Sequence, residues 1–137
     1  MKITNVHSGD WIQEETKLGT WNYIRLPFEK IGVRVESLDP GTTSSVHHYH
    51  TKEEEHLLVL EGTATLHMDS GDHMLSPGDH AFFPAGSEDA HHIENTSDEP
   101  FKFFVFGERR KDDVVYYPRD GTKLLKDGEV RLVKIEE

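Results

Sequence analysis

Short apolar runs separated by turn-forming residues fill the chain from Ile31 onward and constrain its fold more than any other feature. Each run is of strand length, and none is long enough for a helix with its 3.6-residue period. Glycine supplies positive φ in the dividers and proline fixes its own φ, so the connections are tight. Tight connections join antiparallel neighbours. The pattern therefore predicts an all-β sandwich or barrel, with strands at residues 32–38, 46–50, 55–60, 63–68, 73–75, 80–83, 91–95 and 101–106.

The two ends of the chain give weaker signals. Polar residues dominate residues 1–30 and Pro27 interrupts them, which indicates an N-terminal arm with one or two short strands. Beyond the barrel come a strand-like stretch at residues 114–117 and a polar tail, whose last run, residues 129–135, alternates like an edge strand of this barrel or of a partner's. We expect a single domain over residues 1–137, with the barrel core at about 31–107.

Composition excludes several function classes. The chain has no cysteine, so any metal must be held by nitrogen and oxygen ligands. A net charge of −11 opposes binding to nucleic acid or to an anionic membrane surface. No stretch has the length of a membrane span, and the first residues lack the apolar core of a signal peptide. We therefore expect a cytoplasmic protein whose partner is a small-molecule substrate or ligand.

Histidine is the residue type that points to chemistry. Nine of the ten histidines fall between His47 and His92. Five of the ten are interpreted as ordinary surface or hydrogen-bonded imidazoles, namely His7, His56, His67, His73 and His80. The remaining ones occur at spacings that a metal site requires, so they are the candidates for ligands.

The first candidates are His48 and His50, which the strand period of two places on one face. A carboxylate follows among residues 53–55, after a break in the strand. The residues alone leave the choice among these three glutamates open, although the downstream pattern favours Glu55, which begins a strand that is apolar on both sides. A carboxylate in such a place is expected to pair with a cation.

The last candidate is His91, which alternation groups with Ile93 on the face expected to be buried. Asn95 shares that face but lies roughly 13 Å from His91 at about 3.3 Å per residue, so the two cannot bind one ion. We expect Asn95 to satisfy backbone groups at the strand end.

These residues resemble the two conserved motifs of the cupin superfamily. The first motif reads Gly41, His48-x-His50, Glu55 and Gly62, and the second reads Gly78, Pro84-x-Gly86, His91 and Asn95. The stretch from Gly41 to His48 and the stretch from Gly86 to His91 are both longer than usual, and the spacing to Glu55 and Asn95 supports His48 and His91 over their neighbours His47 and His92.

The resemblance implies a double-stranded β-helix, or jelly-roll barrel, with one divalent metal ion on His48, His50, Glu55 and His91. The chain is also similar to a group of small bacterial and archaeal cupins that share the tail sequence at residues 113–118. Small cupins are commonly homodimers, so the resemblance predicts a homodimer here as well.

Three imidazoles and one carboxylate leave one or two positions of the ion open, and they suit Fe, Mn, Ni, Co, Cu or Zn. Dioxygenase-type chemistry is favoured, and the alternatives are a metal-dependent isomerase or lyase of a sugar or other small metabolite, or a non-catalytic binding module. A barrel that only dimerises, without metal, leaves the ligand spacing unexplained. Tyr49, Glu54, His92 or an inward residue of the arm are the candidates for acid-base work.

Overall fold

The computed structural model describes residues 1–136, and within this range the chain is built from strands alone. No helix long and apolar enough to cross a bilayer occurs in that range. The thirteen strands are β1 (Ile12–Thr16), β2 (Gly19–Arg25), β3 (Ile31–Leu38), β4 (Tyr49–His50), β5 (Glu55–Glu61), β6 (Ala64–Met68), β7 (Gly71–Leu75), β8 (His80–Phe83), β9 (His91–Glu94), β10 (Phe101–Glu108), β11 (Val114–Tyr117), β12 (Thr122–Leu125) and β13 (Arg131–Lys134). The all-β prediction is confirmed.

The strands pair antiparallel in three sheets. One sheet has six strands in the order β1-β2-β3-β10-β5-β8, one has three in the order β7-β6-β9, and one has four in the order β13-β12-β11-β4. Two single bridges, Thr43 with Glu94 and His48 with His91, continue the three-stranded sheet toward β4. The segment that leads into β4 therefore lies beside β9, which is the arrangement that brings the two histidine motifs together.

The core lies where the six-stranded and three-stranded sheets face each other. Alternation sends Leu57 and Val59 of β5 inward, opposite Leu66 of β6 and Ile93 of β9, and all four are at most 5% exposed. Burial of each such side chain contributes about 1.5–3 kcal/mol. The pairing of Leu57 and Val59 on one face, which the sequence predicts, also fixes the direction of Glu55 at the start of the same strand.

The turn between β5 and β6 shows why glycine is needed at the dividers. Gly62 has a φ of 80°, in the left-handed region that side chains with a Cβ avoid. A Cβ at this position would also collide with the carbonyl oxygen of Pro100. The turn leads the chain from the six-stranded sheet into the three-stranded sheet, and Val59 before it and Ala64 after it both belong to the core.

Both ends of the chain add strands at sheet edges. The N-terminal arm was predicted to contain one or two short strands, and it contains two, β1 and β2. They complete the six-stranded sheet. The C-terminal tail contains three strands, of which β12 was not predicted because its four residues carry no alternation. Strand β13 corresponds to the predicted edge strand and pairs with β12 of the same chain. Because β11 pairs with β4, the tail covers the barrel beside His50.

Candidate metal centre

Three of the four predicted ligands converge on one point. The ring centroids of His48 and His50 are 5.2 Å apart, so the two imidazoles share a face as their spacing predicts. Glu55 brings Oε2 to 3.5 Å from Nε2 of His50. One ligand atom from each of His48, His50 and Glu55 lies within 4.8 Å of the other two, close enough for one ion to be shared.

The hydrogen bonds of the two imidazoles fix which nitrogen faces an ion. Nδ1 of His48 lies 2.8 Å from the carbonyl oxygen of Val46, and it must carry the proton in order to donate to that oxygen. Nδ1 of His50 lies 2.8 Å from Oδ2 of Asp113. In both rings Nδ1 is thus engaged by the protein, and Nε2 is the nitrogen that faces the shared point.

The three consecutive glutamates at residues 53–55 take three directions. Glu55 alone of the three joins both imidazoles. Glu53 is buried on the other side of His50, with Oε1 at 3.7 Å from Nδ1. Glu54 is exposed and pairs with His56. The strand is interrupted after β4, as the spacing from His50 to Glu55 requires. This interruption lets the three side chains point in different directions.

His91 lies beside this group. Its ring centroid is 4.7 Å from that of His48, and its ring stacks on Phe83 with centroids 3.8 Å apart. Nε2 of His91 is buried and has no hydrogen-bond partner among residues 1–136. A buried polar atom without a partner costs about 1–3 kcal/mol. A cation bound to this nitrogen would remove that cost, so the residues present fit a metal ion.

The pKa values describe a site that is prepared for a cation. Burial lowers the pKa of His48, and burial followed by the nearby His48 lowers the pKa of His91 to about 3. Burial also disfavours the charged form of His50, yet the hydrogen bonds to Asp113 and Glu55 outweigh it and raise its pKa to about 9. In the metal-free chain, His50 therefore holds a proton that a bound cation would displace.

A buried hydrogen-bond network holds the Nδ1 side of the His50 ring, away from the shared point. Asp113 accepts hydrogen bonds from His50 and from the backbone nitrogens of Lys52 and Glu53, at 2.8, 2.9 and 3.1 Å. His50, Glu53 and Asp113 also form a group with metal-like spacing. However, Nζ of Lys126 lies 3.1 Å from Glu53 and 3.2 Å from Asp113, so an ammonium group already supplies the positive charge there. We therefore interpret Glu53 and Asp113 as residues that orient His50, and not as ligands of a second ion.

The neighbouring histidines on the opposite face are satisfied by the protein itself. Nδ1 of His47 lies 2.8 Å from Nδ1 of His92, and its Nε2 lies 2.8 Å from Asp69. His67 stacks on His92 and bonds to Glu94 at 2.9 Å. The histidines that were expected to be ordinary all lie outside the donor group: His7, His56, His67, His73 and His80. Asn95 donates to the carbonyl oxygens of Leu38 and Glu99, which is the backbone role predicted for it.

The donor group opens into a cavity of about 190 Å³ inside the barrel, which we call the inner cavity. Its apolar wall comes from Leu57, Ile93, Phe103 and Val105. A larger pocket of about 650 Å³, which we call the outer pocket, shares His48 and His50 with the inner cavity and is bounded by the C-terminal strands. A small molecule in the outer pocket can thus reach the donor atoms.

Glu36 on β3 lines the inner cavity and was missed by the sequence analysis. Its carboxylate accepts a hydrogen bond from Nε1 of Trp21 and lies 3.7 Å from Nε of Arg34. Burial raises the pKa of Glu36, although Arg34 and Trp21 oppose the change. A buried carboxyl group with a raised pKa is suited to take up and return a proton. The available signal was two charged residues, Arg34 and Glu36, at alternate positions of a mostly apolar strand.

The side chains suggested for acid-base work lie elsewhere. Tyr49 stacks on Tyr116, Glu54 pairs with His56, and His92 bonds to His47. None of the three suggested side chains is among the residues that line the inner cavity or the outer pocket in the described chain. From the arm, Trp21 acts on the inner cavity through its bond to Glu36.

Known proteins share this architecture. A family described as "Cupin domain" matches residues 34–107. A sugar phosphate isomerase of the cupin superfamily from Silicibacter pomeroyi is 32% identical, with a TM-score of 0.78 over 83% of this chain and 76% of that chain. A candidate sugar phosphate isomerase from Acidithiobacillus ferrooxidans is 29% identical, with a TM-score of 0.85 over 95% of this chain and 88% of that one.

More distant structures support the fold alone. The polyketide cyclase RemF from Streptomyces resistomycificus is 21% identical, with a TM-score of 0.62 over 78% of this chain and 80% of that chain. No curated protein sequence is significantly similar to the chain. The structural matches confirm the prediction of a jelly-roll barrel.

Proposed function

We propose that this chain, which belongs to the cupin family, is a divalent-metal-dependent isomerase of a phosphorylated sugar. The observation that carries the proposal is the position of Glu36, a buried carboxyl group in the wall of the cavity into which the donor group opens. The similarity to proteins named sugar phosphate isomerases supports the substrate class.

The proposed metal ligands are His48, His50, Glu55 and His91. The orphaned Nε2 of His91 and the engaged Nδ1 atoms of His48 and His50 support this set. A divalent ion held there would act as a Lewis acid that polarises a substrate carbonyl group. The donor set suits Fe, Mn, Ni, Co, Cu and Zn alike, because all of them accept imidazole and carboxylate ligands.

Glu36 is the proposed acid-base group. In an aldose–ketose exchange, its carboxylate removes the proton from the carbon next to the carbonyl group and returns it to the former carbonyl carbon. The hydroxyl proton moves to the carbonyl oxygen, so no atom is gained or lost. Arg34 and Trp21 orient the carboxylate by ion pairing and hydrogen bonding, and the apolar wall excludes water that would compete for the proton.

The first prediction concerns Glu36→Gln. This change keeps the shape of the side chain and an oxygen for Trp21, but it removes the proton acceptor. We expect the metal-loaded wild type to interconvert an aldose phosphate and a ketose phosphate in D₂O and to introduce deuterium at the exchanged carbon. We expect the variant to be slower by roughly 10²–10⁴-fold, the usual contribution of a general base. Nuclear magnetic resonance spectroscopy of a panel of sugar phosphates measures both quantities.

The matched control is Glu54→Gln, which changes an exposed carboxylate that pairs with His56 and leaves the inner cavity intact. It should keep wild-type turnover. Metal content must be equal in all three proteins. Consumption of dioxygen by the iron-loaded protein, without deuterium exchange, would overturn the proposal in favour of the dioxygenase alternative. Stabilisation by metal without turnover of any sugar phosphate would favour the binding module.

The homodimer stays a prediction. The surface that it would bury is the outer face of the six-stranded sheet, where His56 stacks on Phe82 and on Phe106 with centroids 5.0 Å apart. Phe82 is 50% exposed in the single chain. A stacked aromatic surface of this kind is typical of interfaces between subunits.

A further inference from the structure

We infer that Arg34 and Arg109 form an anion subsite at the boundary between the inner cavity and the outer pocket, and that its ligand is the phosphate group of the substrate. Only the role of the subsite in catalysis rests on the proposed function. The positions and contacts of the two arginines support it independently.

Both arginines line the inner cavity and the outer pocket, so they flank the passage between the two. Arg34 lies on β3, and Arg109 immediately follows β10. The side chain of Arg109 crosses β3 at Gly32, where a Cβ would collide with its guanidinium group. Gly32 and Arg34 lie on the same face of β3, because strand positions two apart do so. The two guanidinium groups are therefore brought to one side of the same strand.

Neither guanidinium group donates a hydrogen bond within the described part of the chain, although each lies over an aromatic ring, Arg34 over Trp21 at 5.2 Å and Arg109 over Phe28 at 5.9 Å. Nε of Arg34 is buried without a hydrogen-bond partner, and its nearest carboxylate, that of Glu36, is 3.7 Å away. Arg109 makes no hydrogen bond within residues 1–136, and its contact with Glu53 is 3.9 Å long. The next residue, Arg110, shows the contrast, because it forms two bonds of 2.9 Å to Asp112.

The charge arrangement around Arg34 also favours an anion. Arg25 on β2 stands directly opposite Arg34 on β3, and like charges in this position destabilise a sheet. The chain has 26 acidic and 15 basic residues, so carboxylates were available to neutralise the pair. The two guanidinium groups beside the cavity are paired only loosely, at 3.7 Å to Glu36 and 3.9 Å to Glu53, and loosely paired positive charge in a chain this acidic favours a negatively charged ligand.

A phosphate dianion matches the two arginines. Guanidinium groups bind phosphate oxygens through paired, charge-assisted hydrogen bonds. The other cation of the outer pocket, Lys126, is already engaged by Glu53 and Asp113, so it does not compete. A phosphate held at the passage leaves the attached carbon chain to enter the inner cavity, toward Glu36 and the donor group.

The test is calorimetric titration of the metal-loaded protein with inorganic phosphate, for wild type, Arg34→Gln, Arg109→Gln and the double variant. We expect each single variant to bind phosphate roughly 10- to 100-fold more weakly, as for loss of a hydrogen bond to a charged group. Arg110→Gln is the matched control and should bind like wild type, because its guanidinium group is engaged by Asp112. Metal content and melting temperature verify that each variant is folded and loaded.

The subsite would be overturned if the wild type did not bind phosphate. It would also be overturned if the double variant bound phosphate as tightly as the wild type, and that result would locate phosphate on the metal itself. The KM for a sugar phosphate separates the subsite from the proposed function. Turnover with an unchanged KM in both single variants would overturn the subsite and leave the isomerase. Arginine-dependent phosphate binding without any turnover would support the subsite and overturn the isomerase. Arg34→Lys, which keeps the charge without the paired donors, should restore binding only in part.

Discussion

Histidines that are adjacent in sequence, His47 with His48 and His91 with His92, face opposite sides of the same two chain segments. On the outer side, both ring nitrogens of His47 are engaged, one by His92 and one by Asp69. On the inner side, Nε2 of His91 is buried without a partner in the described chain. The ring nitrogens of the outer His47 thus have hydrogen-bond partners within the protein, whereas a buried ring nitrogen of the inner His91 has none in the described chain.

The difference shows which property marks a ligand. A lowered pKa does not, because burial and the neighbouring His67 lower the pKa of the outer His92 to about 4, and burial lowers that of the inner His91 to about 3. A buried nitrogen without a partner does separate them, since Nδ1 of His92 bonds to His47, whereas Nε2 of His91 is buried and has no partner within residues 1–136. An inner face that lacks partners is stabilised by a cation, and an outer face that has them is not.

Removal of ligands from the inner face should have the largest effect. The double variant His48→Ala, His91→Ala loses two of four proposed ligands from a site with a binding free energy on the order of 10 kcal/mol, so its metal affinity should fall by roughly a thousandfold or more. Elemental analysis of protein purified without added metal measures the loss. The matched outer variant His47→Ala, His92→Ala should keep its metal and change only stability. Equal metal content in the two double variants would contradict the comparison.

Turn chemistry and strand alternation predicted most of the fold. The residues predicted at 80–83 coincide with β8, and alternation places Leu57 and Val59 on one face of β5, which the structure buries. The strand predicted at 46–50 is shorter in the structure, where β4 is only Tyr49–His50. The reason is that the chain changes partner there, from β9 at His48 to β11 at His50. Such a change of partner leaves no trace in local periodicity.

The candidate site was predictable as far as local spacing reaches. Alternation places His48 with His50 because the two lie on one short segment. It gives no information on Asp113, which contacts His50 across 63 positions of sequence, or on Arg109, which reaches β3 from the end of β10. Periodicity reports which face a side chain occupies and not what stands opposite it. Partners across the barrel therefore required the structure.

The support behind the inner face offers a smaller test. Asp113→Asn removes the charge that orients His50 and engages its Nδ1 proton, and loss of such a partner typically weakens metal binding about 10- to 100-fold. Competition with a chelator measures the affinity. The absorption spectrum of the cobalt-loaded protein reports the geometry of the ligands, which a purely structural role of Asp113 would leave unchanged. Asp112→Asn, at an exposed carboxylate paired with Arg110, is the matched control. Wild-type affinity in Asp113→Asn would mean that His50 needs no such support.

The smallest predicted effect is a difference in pH dependence between the metal-free and metal-loaded protein. In the metal-free chain the pKa of His50 is raised to about 9 because hydrogen bonds to Asp113 and Glu55 outweigh burial, so its folded value exceeds the unfolded value of about 6.5. The stability that this proton contributes is complete below pH 6.5 and is lost as the pH rises toward 9.

His91 acts in the opposite direction, because its pKa of about 3 makes the folded chain lose stability as the pH falls below 6.5. Metal-free protein should therefore have its highest melting temperature near pH 6.5 and decline on both sides. With a cation in place of the proton on His50, the alkaline decline should disappear. Melting curves from pH 5 to 9, with chelator and with metal, test this. Asp113→Asn should reduce the alkaline decline of the metal-free form. If melting temperature depended on pH in the same way with and without metal, the proposal that the ion and a proton compete for His50 would be refuted.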